Sequence, residues 1–485
     1  MILSILVIFS IVFYLNYRWK RRKVYKIADA LPGSNGYPIF GHMFSFLRMN
    51  YEDNLNEAMR IIPRNLPIAK VWTGNVLFVV IESPELSHQL LNSSSCLKIP
   101  FMFSRPFLAR YALPICNGEV WQRHRKILSH SFKVQVLNDL MPTINEKCQR
   151  FVAKMKSQIG CGEFNILHHI AALAMETTMK GSFYYDKDFY GNKLIDDMDR
   201  AKIFMIKRMA RPWLNFEFFF QRSQLYQDIK KSFALIHQHV DEIIKLYETN
   251  RANGFVSGKM NIIDQLMSEK SNLTKDEIRD EIYIFLFAGY ETSSMALAAV
   301  FLLIAIHKDV QAKVIEEVDE LFDGENVSME NLSKFKYVDY VVKETLRLFP
   351  TIPIVPRKVT EDFQLNEYTI PKDTILLEFI YALHRNPQVW GEDVLEFKPE
   401  RFAPENYQKI DPNAFVPFAG GRRKCIGYKY AMNFLKIVVI HFFKYYEVSS
   451  SLKYKDLTAK MTVTLEIAQK YMVSVQHRKK NVPAI

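Results

Sequence analysis

The sequence predicts a mainly α-helical protein, folded as one large globular unit behind an N-terminal membrane anchor. Three observations carry this. Lys275 to Lys308 holds no proline and opens behind Thr274-Lys-Asp-Glu277, a capping-box pattern, which predicts one long helix. Beyond residue 40 the chain shows no repeat, no low-complexity segment and no Pro/Gly/Ser-rich hinge. One core is therefore favoured over the several domains that 485 residues alone would suggest. Finally, Ile2 to Tyr17 is apolar apart from Ser4, Ser10 and Asn16, and runs into the basic cluster Arg18-Trp-Lys-Arg-Arg-Lys23.

No base precedes that apolar run and no clear small-residue cleavage site follows it, which argues against a removed signal peptide. About 16 residues is short for a span, but Trp19 and the snorkelling bases extend it. The bases belong on the cytoplasmic side by the positive-inside rule, which puts the body of the protein there too. The expected division is an anchor with its basic flank over 1–23, a proline-rich hinge over 24–41 and a globular body over 42–485. Within the hinge, Leu31-Pro-Gly-Ser-Asn-Gly-Tyr-Pro38-Ile-Phe-Gly41 stiffens and turns the chain. The five cysteines (96, 116, 148, 161 and 425) are scattered and odd in number, as expected in a reducing compartment. Cys161 with His168 and His169 matches no zinc spacing. The net charge is +12, with local clusters at Arg123/Arg125/Lys126, Arg422/Arg423/Lys424 and Arg478/Lys479/Lys480. No nucleic-acid motif accompanies them, and no nucleic-acid partner is expected.

Ile282 to Ile306 is long enough to cross a membrane, yet Glu291, Thr292, Ser293 and Ser294 sit at its centre, where a charge is costly in lipid. This segment reads as a helix through the middle of a soluble core. Gly289 would leave room at its surface for a cofactor or dioxygen. Glu291 and Thr292 place an acid beside a hydroxyl, which suits proton delivery to bound oxygen; a polar kink in a buried helix is the plainer reading.

The most informative residues are Phe418-Ala-Gly-Gly421-Arg-Arg423-Lys-Cys425-Ile-Gly427, followed by the apolar stretch Tyr428 to Tyr446. A glycine-rich turn here carries one cysteine to the start of a helix, whose unpaired N–H groups and partial positive charge favour the thiolate. A thiolate so held can ligate a metal, and the glycines would let a flat, bulky cofactor approach the backbone. Phe, Gly, Cys and Gly at these offsets should arise by chance in roughly 4 of 10,000 chains of this composition. A buried cysteine in a turn is the plain alternative.

The pattern resembles the haem-thiolate signature of the cytochromes P-450. The resemblance implies Cys425 as axial ligand of the haem iron, Phe418 against the haem, Arg423 paired with a propionate, and Gly427 in the cofactor-binding turn. A thiolate ligand pushes electron density onto iron and promotes O–O cleavage. Ala288-Gly289-Tyr290-Glu291-Thr292-Ser293 is similar to the family's acid–alcohol motif, which implies proton delivery by Glu291 and hydrogen bonding at the oxygen site by Thr292. Family 4 chains often carry Glu where this chain has Ala288, and that Glu can form an ester to a haem methyl. Here haem b is expected without a covalent link at this position, and terminal-carbon hydroxylation of fatty acids does not follow.

Glu344-Thr-Leu-Arg347 pairs opposite charges on one helix face and, followed by Leu348-Phe-Pro350, resembles the family's Glu-x-x-Arg helix. The resemblance adds Arg401, in Phe397-Lys-Pro-Glu-Arg401-Phe402, as the third member of a buried structural triad. Trp121 and Arg125, one helical turn apart, resemble the family's propionate contacts, and Arg357 falls where another propionate-binding Arg is common. Ile370-Pro-Lys-Asp-Thr374 and Ala382-Leu-His384-Arg-Asn-Pro-Gln-Val-Trp390 match further family segments. For each of these alone, packing or surface charge would suffice. Together they imply the cytochrome P-450 fold, a large helical domain with a small β-rich subdomain, nearest in kind to family 4 and its insect relatives.

The implied reaction joins substrate, dioxygen, two electrons and two protons to give an alcohol and water. Electrons would come from NADPH through an acidic flavoprotein, NADPH–cytochrome reductase, with cytochrome b5 as a further partner. The implied location is the endoplasmic reticulum membrane, single-pass, with the catalytic domain facing the cytoplasm. The bases Arg123 to Lys126, Arg422 to Lys424 and Lys429 would form the docking face. Two aromatic segments, Phe101-Met-Phe-Ser-Arg-Pro-Phe107 and Arg211-Pro-Trp-Leu-Asn-Phe-Glu-Phe-Phe-Phe220, read either as core or, by family position, as a cover over the haem and a membrane-facing entry. The second reading implies a lipophilic substrate, whether fatty acid, steroid, pheromone-like lipid or foreign compound. Two alternatives differ in class. One is a haem-thiolate isomerase or dehydratase needing no outside electrons, against which the Glu291–Thr292 pair argues. The other is a non-catalytic haem-binding membrane protein, against which the complete motif set argues.

Overall fold

A computed structural model of the chain describes residues 2–47, 54–62, 66–98, 109–209, 211–255 and 260–478. Helices dominate it. The longest, the central helix Lys275–Ile306, starts where Thr274 accepts from the Glu277 amide while Glu277 accepts from the Thr274 amide, a complete capping box. Its most apolar window is 83% buried inside the protein, so it is a core helix, as its central acid and hydroxyls required. Around it pack Leu167–Phe183, Gln224–Ala252, Lys336–Leu348 and Tyr428–Phe443. Closest is Leu167–Phe183, whose buried face includes Ala171, Ala172 and Ala174, small residues that allow two helix backbones to approach.

Part of the β structure has a core of its own. Its main sheet runs in the order Ile68–Thr73, Val76–Ile81, Ile375–Glu378, Val355–Val359, Cys96–Lys98. Only the central pair, Val76–Ile81 with Ile375–Glu378, is parallel. Leu77, Val79, Ile81, Val359 and Leu376 fill one face of this sheet. Ala28 and Leu31 belong to the same cluster, which revises the expected hinge. A helix, Arg22–Asp29, crosses the boundary placed at residue 23. The chain after it lies against the first strand: the Lys70 amide donates to the Pro32 carbonyl at 2.7 Å, and buried Lys70 Nζ donates to the Ala28 carbonyl at 2.9 Å. Gly41, at φ 56°, sits so close to the Trp72 backbone that no side chain would fit. Residues 24–41 are thus a docked arm.

Ile2–Lys20 is helical and holds Ile8, Phe9, Phe13 and Leu15 exposed. The aromatic segment 101–107 lies outside the described residues, as do Lys479 and Lys480 of the last basic cluster.

Candidate functional site

The cysteine loop follows its sequence pattern. A single turn of 3-10 helix, Gly421–Arg423, leads to Cys425, and Gly427 caps the helix Tyr428–Phe443. The loop closes on itself where the Cys425 amide donates to the Phe418 carbonyl at 3.0 Å. Cys425 is exposed and outside any disulfide, and Phe418 is half-buried beside Tyr428. The loop glycines answer to packing as well as to any ligand. Gly421, at φ 61°, presses on the Leu91 carbonyl of helix Pro84–Asn92, and a side chain on Gly420 would meet Leu91 Cδ1 at 3.0 Å. A Cβ on Gly427 would only touch the Phe132 ring, at 3.5 Å.

Arginines from three separate elements converge on this loop. Arg125, from helix Gly118–Leu128, donates to the Lys424 carbonyl at 3.1 Å and lies in the field of Cys425. Arg423 stacks 3.8 Å from the Trp121 ring centre and donates to the Cys116 carbonyl and Asn117 Oδ1, both at 2.9 Å. Trp121 therefore works through Arg423, a contact the Trp-x-x-x-Arg spacing did not show. Arg357, on strand Val355–Val359, is only 3% exposed, and its Nη2 has no hydrogen-bond partner. Burial lowers all three guanidinium pKa values, Arg423 to about 10, and the other two repel Arg423. Clustered, desolvated cations with a bare buried N–H are stabilised by an anion. The residues present fit the two carboxylates of a haem beside a cysteine ligand.

Below the loop the expected triad is formed. Arg347 Nε and Nη2 donate to the Glu344 carboxylate at 2.7 and 2.8 Å, both residues are fully buried, and Arg401 Nε lies 3.4 Å from Glu344 Oε1. Further donations run from Arg347 to the carbonyls of His384 and Val394 at 2.8 Å, and from Arg401 to the Trp390 carbonyl at 3.0 Å. Each charge thus has an opposite partner and at least one hydrogen bond, although Arg401 Nε itself is buried without one.

On the central helix the structure changes two readings. A Cβ on Gly289 would fall 2.7 Å from Thr178 Oγ1, so this glycine admits the neighbouring helix Leu167–Phe183. The expected room for a ligand at its surface is taken by Thr178. Glu291 is fully buried and faces away from Thr292: its Oε1 accepts from Lys202 Nζ at 2.8 Å and from Thr464 Oγ1 at 2.7 Å. Lys202, on helix Lys193–Met209, also donates to Glu466 at 3.2 Å; burial by itself lowers its pKa, but the Glu291, Glu466 and Asp199 carboxylates outweigh that and raise it. Thr292 donates to the Ala288 carbonyl one turn back, at 2.8 Å. Lys202 and Thr464 carried no sequence signal, since each finds its partner only through tertiary packing. The same holds for Glu378, fully buried near Arg357 with a carboxyl pushed up to about 7 by burial.

A family model described as Cytochrome P450 matches residues 31–475. Cytochrome P450 4V2 of Mus musculus is 28% identical over 452 residues, 87% of this chain and 85% of the relative. Probable cytochrome P450 313a3 of Drosophila melanogaster is 27% identical over 483 residues, 96% of this chain and 97% of the relative. Cytochrome P450 4c21 of Blattella germanica is 28% identical over 472 residues, 93% of each chain. These relatives fall in family 4 and among the insect enzymes, as the motifs implied. A match from the docked arm to the last strand leaves one conclusion: the chain belongs to the cytochrome P450 family, and its chemistry is that of a haem-thiolate monooxygenase.

Proposed function

We propose that this chain oxidises a lipophilic substrate drawn from the endoplasmic reticulum membrane, using electrons from NADPH passed on by an acidic flavoprotein reductase, with cytochrome b5 as a second donor. The observation that carries the reading is the meeting of Arg125, Arg357 and Arg423 at the loop that presents Cys425. Cys425 would hold the iron, the three arginines the propionates of haem b, and Phe418 and Gly427 the loop against its face. The haem, when bound, supplies the activation of dioxygen. The chain's own residues bind, orient and move protons. Thr292 donates its hydroxyl hydrogen to the Ala288 carbonyl and keeps its oxygen as an acceptor. Glu291 is held in the core by the donors Lys202 and Thr464.

Substrate entry from the bilayer is supported by Trp213, Phe216, Phe218 and Phe219, which are 54%, 66%, 62% and 55% exposed on one short segment. Exposed aromatic rings at this density suit a lipid surface better than water. The exposed apolar side of Ile2–Lys20 and its basic end support the single-pass anchor over 1–23, with 42–485 as the catalytic body. Exposed Lys126, Arg422, Lys424 and Lys429 lie near the cysteine loop and would steer a negatively charged partner.

The test is spectroscopic and then catalytic. Reduced, CO-bound protein should absorb at about 450 nm, and Cys425→Ala should abolish that band. A haem-loaded wild type with a stable band only at about 420 nm would sink the assignment of Cys425. Product formation from a lipophile that shifts the haem spectrum should require both NADPH and reductase. Product made without them would point to an isomerase.

A further inference from the structure

The cysteine loop needs something to hold its first residues, and the fold supplies one side chain that does so. His384 is fully buried and ends the short helix Ile380–Leu383. Its Nδ1 lies 3.1 Å from the Arg347 carbonyl, and its Nε2 lies 3.0 Å from the Val416 amide. A carbonyl only accepts, so Nδ1 carries the hydrogen; an amide only donates, so Nε2 is bare. One neutral tautomer satisfies both contacts. Burial and the charge of Arg347 push its pKa down to about 3, which keeps it neutral. The ring is clamped by Phe415, stacked at 5.4 Å, and by the edge of Trp390 at 6.4 Å.

The partners lie at two ends of the machinery already described. Arg347 belongs to the buried triad and also donates to the His384 carbonyl, so the two residues are bonded in both directions. Val416 opens the cysteine loop: its carbonyl accepts from the Ala419 amide at 2.9 Å, and the next residue but one, Phe418, accepts from the Cys425 amide at 3.0 Å. The rigid imidazole thus joins the fixed ion pair to the loop within two further backbone hydrogen bonds of the cysteine.

We propose that His384 is a positioning residue for Cys425, its neutral ring fixing the start of the cysteine loop to the Glu344–Arg347 pair. The inference rests on Cys425 as the iron ligand. Only the imidazole ring reaches both partners at once; an Asn or Gln amide reaches one of the two ring-nitrogen positions, and this allows the two bonds to be separated. In His384→Asn the amide nitrogen replaces Nδ1, keeping the Arg347 contact and losing Val416. In His384→Gln the longer side chain puts its oxygen near the Nε2 position, keeping Val416 and losing Arg347.

The experiment takes full-length, haem-loaded wild type and both variants, and reads the reduced CO spectrum, the melting temperature and hydrogen exchange at the Val416 amide. His384→Asn should lose more than half of its band at about 450 nm to one at about 420 nm, at temperatures well below its melting, with fast exchange at Val416. His384→Gln should keep the wild-type band and slow exchange even if it melts earlier. An Asn variant with the wild-type spectrum overturns the proposal. So does a loss of the band that follows melting temperature alike in both variants. If His384→Asn does not load haem, the Gln variant still decides, since loss of its band would overturn the proposal. A wild type without the band at about 450 nm would remove the Cys425 reading and this inference with it, whereas a normal wild type beside an unchanged Asn variant removes the inference alone.

Discussion

Glu378 gives the sharpest test of how the arginine site is built. Its carboxyl ends strand Ile375–Glu378, where Val355 lies opposite Glu378 and Arg357 opposite Leu376. Residues two apart on a strand share a face, so Arg357 and Glu378 are diagonal neighbours on one side of the sheet. Ser87 Oγ donates to Oε1 at 2.5 Å, and Oε2 has no hydrogen-bond partner. Burial raises the pKa; the Ser87 bond and the Arg357 charge lower it; burial wins, and the group moves from 4.5 to about 7. The folded protein therefore holds this proton more tightly than the unfolded chain does. Stability from this source is full below about 4.5, falls as pH rises toward 7 and is flat above. At 1.36 kcal/mol per pKa unit the loss is roughly 3 kcal/mol in all, of which most falls between about pH 5 and 8.

Glu378→Gln removes the titration and keeps the shape and the acceptor for Ser87. Urea unfolding of wild type and variant, followed by tryptophan fluorescence across that pH range, gives the difference directly. The variant should gain on wild type by roughly 2–3 kcal/mol on going from about pH 5 to 8. A difference between the two proteins that does not change with pH would refute the reasoning, because the carboxyl would then titrate alike in the folded and unfolded states.

Three further outcomes are expected. Glu344→Gln leaves Arg347 charged and unpaired in the core, and should cost on the order of 3–5 kcal/mol in denaturant unfolding, with faster haem loss. Thr292→Ala should leave the CO spectrum intact while more of the consumed NADPH ends as peroxide, read from the ratio of peroxide to product; an unchanged ratio would exclude Thr292 from proton handling. Lys202→Met strands Glu291 and should destabilise the protein by several kcal/mol, a loss that Lys202→Met combined with Glu291→Gln should largely restore in a double-mutant cycle.

The parts of the site written in contiguous sequence were legible and the parts made by packing were not. Phe418 to Gly427 fixes its own turn through glycines and a local hydrogen bond, so its shape follows from its residues. Glu344 and Arg347 are one helical turn apart, so their pairing needed only a helix. The glycines show the limit. Gly289 and Gly421 were legible as places where a side chain is excluded, but what excludes it, Thr178 and Leu91, comes from helices far off in the chain. His384 was legible only as part of a family segment; its role lies in two backbone atoms, Arg347 O and Val416 N, which no side-chain pattern encodes.

The acid and the alcohol of the central helix bring this limit to bear on function. Consecutive residues point about 100° apart around a helix, so neighbours in sequence need not be neighbours in space. Here they are turned to different partners: Glu291 to Lys202 and Thr464, Thr292 to the carbonyl one turn behind it. One oxygen of Glu291 is fully engaged by those two donors, and the other, Oε2, is buried with no hydrogen-bond partner. In the proposed proton role, transfer between the two residues would have to use Oε2 and cross a gap that no direct hydrogen bond closes, which is work for bridging water. The helix Lys193–Met209 and the hairpin carrying Thr464 and Glu466 hold Glu291 in place, so on the proposed proton role they would count with the motif that first drew attention to it.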